Sequence, residues 1–164
     1  MKKYLLISIL VMAFGSQGFA QSKTVENFSK KADGYTAFLY QSVIRMMNKD
    51  KNPDFNMLIR NLDHIRVLTT EPGAGDPKST FKSLDKGVQA EGFEEIMTFD
   101  NKDYRCHVYE LATSGNKSTW VATLYMNDAA GIIEMKGSLD VKYFRAFSSL
   151  DMDKLQELVP LEKN

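Results

Sequence analysis

The 164-residue chain has a single cysteine, two histidines, four prolines and one tryptophan. One cysteine excludes an internal disulfide framework and a Cys-rich zinc site. Two histidines leave little from which to build a histidine-ligated metal centre. Charge of one sign is missing too: 21 basic residues balance 21 acidic ones, so no net field points to nucleic acid or an anionic membrane surface. After residue 20 no apolar run reaches the ~20 residues that a spanning helix needs. No repeat, low-complexity tract or linker divides the chain. What is present is ordinary globular material, 43% hydrophobic and 11% aromatic, sufficient for one core without staples.

The N-terminus carries an address. Lys2 and Lys3 precede the apolar run Tyr4–Phe14, and Gly18-Phe19-Ala20 places small residues at −3 and −1 of a cleavage point before Gln21. Ser16 and Gln17 interrupt the segment too early for an anchor, and no cysteine stands near the cleavage point for lipoprotein attachment. Residues 1–20 therefore read as a cleaved signal peptide. The expected location is the periplasm, with passage through the outer membrane left open. Loss of Lys2 and Lys3 leaves 19 basic against 21 acidic residues.

Along the mature chain, Thr24 is placed to cap a short helix running to Ala32, with Val25 and Phe28 on its apolar face. Residues 35–47 read two ways. Tyr35, Phe38, Leu39, Ser42, Val43, Met46 and Met47 follow helical spacing, while Tyr35–Tyr40 alone is aromatic enough for a strand feeding a helix capped at Ser42. Period favours helix. A short helix follows over Asp54–Asn61, then a strand over His64–Thr69, closed by the loop Glu71–Gly75. Asp76 and Pro77 form a cap and first-turn pair for a longer helix with Phe81, Leu84 and Val88 on its core stripe and Gly92 as its stop. Glu94–Phe99, Tyr104–Ala112, Trp120–Met126 and Ile132–Lys136 are strand-like, joined by polar turn residues that include Asn127–Gly131. Helical pieces are expected near Val141–Phe147 and Met152–Val159. The class is α+β: residues 21–164 form a single two-layer domain, with its core at 25–147, a helical tail at 148–164, and a mostly antiparallel sheet. That sheet ends in a four-strand meander and carries helices on one face.

Candidate chemistry is sparse. Pro72–Thr80 joins strand to helix like a phosphate-binding loop, but Pro72 and Pro77 occupy the positions where the motif needs glycine N–H groups, and Asp76 adds a negative charge. It reads as a capping loop. Cys106 and His107 are neighbours on a strand and point to opposite faces, so they cannot form a nucleophile–base pair. Cys106 reads as a core thiol. Glu94-Glu95 and Asp151/Asp153 lack the shared orientation of an acid–base pair. No catalytic, cofactor-binding or metal-ligating residue is assigned.

The stretch Val43–Met47, then Leu62–Glu71 with its strand end Leu68-Thr69-Thr70-Glu71, then Gly92-Phe93-Glu94-Glu95-Ile96-Met97, resembles the exported bacterial domain of unknown function numbered four-two-five-two, over roughly Val25–Phe147. The resemblance implies a small Gram-negative envelope protein and an accessory role in envelope signalling. It also favours a short strand at Thr36–Tyr40, and it brings no active site or cofactor. The resulting expectation is a non-enzymatic domain that binds another envelope protein, with Asp63, Thr70 and Glu71 around the recurring strand as interaction candidates. The alternative is a carrier of a small apolar ligand or lipid, with Met46, Met47, Trp120 and Tyr125 lining a groove.

Overall fold

The computed structural model describes residues 21–31, 34–48, 51–100, 104–112, 117–126, 128–140 and 142–143. In chain order its elements are α1 (Lys23–Lys31), β1 (Gly34–Tyr40), α2 (Gln41–Met46), α3 (Pro53–Arg60), β2 (Leu62–Thr70), α4 (Pro77–Ala90), β3 (Glu94–Asp100), β4 (Tyr104–Ala112), β5 (Ser118–Met126) and β6 (Ala129–Gly137). The six strands form one open sheet in the order β1-β2-β6-β5-β4-β3, and every neighbouring pair is antiparallel. β3 to β6 are the expected meander, and α4 carries the chain from β2 to the far edge at β3.

The α+β class stands, but the helices divide between the two faces. Side chains alternate across a strand, and two apolar clusters follow that alternation. Ile44, Phe55 and Ile59 of α2 and α3 pack with Leu39, Ile65, Val108, Trp120 and Met135 on one face. Val25 of α1 and Leu84 and Val88 of α4 pack with Leu68, Tyr109, Val121 and Ile132 on the other. Central strands buried on both sides read as apolar runs, which is why Val121 and Ala122, neighbours in sequence, are both buried.

Residues 35–40 are strand, not helix. β1 pairs with β2 at all seven positions from Gly34↔Thr70 to Tyr40↔His64. Its inward residues Tyr35, Ala37 and Leu39 alternate with exposed Thr36, Phe38 and Tyr40. The helical spacing was real but lost to pairing, because a side chain's gain in a sheet comes from cross-strand neighbours that local period does not see. Glycine at position 34 permits the close approach: a Cβ there would stand 1.9 Å from the Thr69 carbonyl oxygen.

The other boundaries moved little. α4 starts as expected, with the Asp76 carboxylate accepting from Lys78 N at 3.0 Å, and Gly92 takes φ +85° past its end. Gly73 N donates to the Asp128 carbonyl at 2.9 Å, so the loop before α4 is tied to the β5–β6 turn. That turn is tighter than expected: Met126 pairs with Ala129, so Ala129–Gly131 belongs to β6. The expected signal peptide at 1–20 and the helical tail at 148–164 lie outside the described residues, and of the helical piece expected near Val141–Phe147 only Lys142 and Tyr143 are described, in a 3₁₀ turn.

Candidate functional site

The densest polar cluster lies between α4 and the sheet. Asp85 and Gln89 are one turn apart on α4, while His107 and Tyr109 share one face of β4, with Thr123 beside them on β5. The Asp85 carboxylate accepts from Tyr109 Oη at 3.0 Å and from the Thr123 hydroxyl, and its second oxygen lies 2.9 Å from His107 Nδ1. Gln89 Nε2 donates to Tyr109 Oη at 3.3 Å. The Phe81 ring stands edge-on to the imidazole, with centroids 5.0 Å apart. Burial first, and then the Asp85 charge, push the Tyr109 phenol well above its ordinary range, so it stays a hydrogen-bond donor.

An Asp–His pair can orient an imidazole as a base. Among the described residues no hydroxyl or thiol hydrogen-bonds the remaining ring nitrogen. Both hydroxyls present are turned to the same carboxylate. Cys106, as its strand position requires, is on the opposite face, packed against the cluster of α2 and α3. Its thiol is pushed up to about 11 by burial first and by Asp85 second, which keeps it a neutral sulfhydryl. What this arrangement does is lock α4 onto β4 and β5. Sequence reading missed it, although the i, i+4 spacing of Asp85 and Gln89 and the i, i+2 spacing of His107 and Tyr109 were visible. Only the fold lays one pair over the other.

A second polar cluster holds the start of α1. The Glu91 carboxylate accepts from Lys23 N at 2.8 Å, from Thr24 N at 2.6 Å and from the Thr24 hydroxyl. Ser22 N donates to buried Glu134 Oε1 at 3.3 Å, and Lys136 Nζ lies 3.8 Å from the same oxygen. Thr24 is therefore inside the helix rather than its cap. Ser22 and the distant Glu91 do the capping, a favourable place for a carboxylate. No three of His, Cys, Asp and Glu among the described residues converge as a metal-ligand set. None of the described helices is long and apolar enough to cross a membrane.

The three interaction candidates are not brought together. Asp63 lies near the start of β2, exposed, with Lys117 Nζ 3.7 Å away. Thr70 ends the same strand, buried, and its hydroxyl accepts from Ala130 N at 3.1 Å. Glu71 follows it, exposed, and its carbonyl accepts from Ala74 N in the next turn. The four expected groove residues are dispersed as well: Met47 and Trp120 are in the core, Met46 is 81% exposed, and Tyr125 faces Phe81 below α4.

One exposed apolar patch lies at a corner of the face that carries α2 and α3. Phe99, Tyr104 and Met126 are 46%, 44% and 39% exposed. The register joins them: Tyr104 pairs with Met126, Phe99 with Cys106, and Cys106 with Leu124. All five, with Met97, point to one face of β3, β4 and β5. α2 and α3 pack at the other side of that face, against β1 and β2.

A family model for the domain of unknown function DUF4252 matches residues 28–147. No curated protein and no solved structure matches the chain.

Proposed function

The chain belongs to the DUF4252 family, and from that premise we propose that it is a non-enzymatic accessory domain of the bacterial envelope that docks another envelope protein. The observation behind this reading is the apolar corner formed by Phe99, Tyr104 and Met126 around half-buried Cys106 and Leu124. Aromatic and methionine side chains clustered on a sheet are the anchor types that protein interfaces use. The polar cluster around Asp85 supports the non-enzymatic half, since its donors are spent in joining a helix to the sheet. The signal-peptide pattern of residues 1–20 supports an envelope location, and an accessory role in envelope signalling is part of the same reading.

A second reading, a carrier of a small apolar ligand or lipid, rests on the same corner. Native mass spectrometry and cross-linking on protein recovered from its own periplasm separate the two. A polypeptide mass starting at Gln21 is expected, together with one envelope protein cross-linked reproducibly through a photoreactive group at Phe99. A Tyr104→Asp, Met126→Asp variant should lower that capture roughly tenfold, the equivalent of about 1.4 kcal/mol. Extra mass of small-molecule size, lost in the same variant, would put the carrier reading in its place. Background capture alone, or capture unchanged by the variant, would overturn docking at this corner.

A further inference from the structure

The two edges of the open sheet are built differently. β3 has the devices that protect an edge from pairing: Glu94, Glu95 and Asp100 along seven residues, and a register shift between Glu95 and Met97. β1 has none of them. Gly34-Tyr35-Thr36-Ala37-Phe38-Leu39-Tyr40 contains no charge and no proline, and its ladder with β2 is unbroken over all seven positions. Among the described residues its outer side has no strand neighbour. Two large side chains sit on it in the open, Phe38 at 50% and Tyr40 at 62% exposure. An unbroken, uncharged edge with exposed aromatics is a template for another strand.

We propose that β1 is a self-pairing edge through which two copies of this chain join their sheets. The reason for choosing a second copy is size complementarity along the strand. On the face toward α1 and α4, β1 presents Gly34, Thr36, Phe38 and Tyr40, small at one end and large at the other. A two-fold axis through Ala37 pairs two such strands antiparallel. Phe38 then lies opposite the second copy's Thr36, and Tyr40 lies over its Gly34, the aromatic-over-glycine pairing that stabilises sheet edges. On the other face Tyr35 meets Leu39, and Ala37 meets Ala37. No charge meets a like charge at any of the seven positions. The Phe38 ring is already held in place, because the guanidinium of buried Arg66 stands 5.3 Å from its centroid. The product is a closed, isologous dimer with a continuous twelve-strand sheet and both β1 edges removed from solvent.

This surface is at the opposite edge from the Phe99 corner, so the dimer and the docking reading fail independently. The test is light-scattering mass measurement on the processed protein at roughly 1–100 μM, the range in which weak specific dimers form. The expected result is twice the chain mass. Thr36→Lys and Phe38→Glu should each give monomer with an unchanged circular dichroism spectrum, since both positions are exposed. Mixing the two variants should restore a dimer. The proposed register sets the introduced lysine of one chain against the introduced glutamate of the other, while the second pair of positions keeps Phe38 opposite Thr36. A monomer throughout the concentration range overturns the proposal, and so does a dimer that survives Thr36→Lys. Loss in both variants without rescue on mixing overturns the register.

Discussion

At the scale of single residues, Asp85 is the position on which most depends. It serves Tyr109, Thr123 and His107 from one helix turn, and a buried donor left without its acceptor costs about 1–3 kcal/mol. Asp85→Ala is therefore expected to lower unfolding free energy by roughly 2–4 kcal/mol in urea denaturation, with Asp85→Asn in between. A loss below about 0.5 kcal/mol, ordinary for a surface change, would mean that solvent replaces these bonds. The parts of this cluster were legible as spacings. Their meeting was not, because α4 and β4 are joined through β3 and no local rule sets which strand a crossing helix covers. Cys106 was legible outright: neighbours on a strand face opposite ways, and the sulfur is on the far side from His107.

At the scale of elements, the sequence reads well where a segment's own residues decide its state. α4 declares itself through Asp76, Pro77 and the Phe81, Leu84, Val88 stripe, all observed in those roles. α1 and β1 are decided by what they dock against. The first turn of α1 is capped by a carboxylate 67 residues away from Thr24, and Gly87 leaves the room: a Cβ there would lie 2.6 Å from the Thr24 hydroxyl. Glu91→Ala should cost about 1–2 kcal/mol, the usual loss for a helix cap. It should also speed amide exchange at Lys23, Thr24 and Val25 without exposing β5. If exchange at β5 rose in step, α1 would be part of the global core rather than a separately anchored piece.

At the scale of the whole molecule, the two apolar clusters share β2, β4, β5 and β6 as a common wall. Neither layer of helices can leave without exposing strands that the other still needs. The expected outcome is one cooperative transition. Trp120 reports on one side of the wall, being the single tryptophan and fully buried among Phe55, Ile59 and Met135. Its fluorescence change on denaturation should coincide with loss of circular dichroism. Separate midpoints would show that the α1–α4 side melts by itself.

By itself the sequence determined the α+β class, the antiparallel meander, the cap of α4 and the separation of Cys106 from His107. Each follows from periodicity, turn chemistry or alternation within a few residues. The tertiary structure decided the rest: that Tyr35–Tyr40 is a strand, that the helices cover both faces, that Asp85 gathers three donors, and that Phe99, Tyr104 and Met126 share an open corner. These depend on which strands become neighbours. That choice is made by burial and pairing summed over the whole sheet, and a local stretch of chain carries too little of that sum to reveal it.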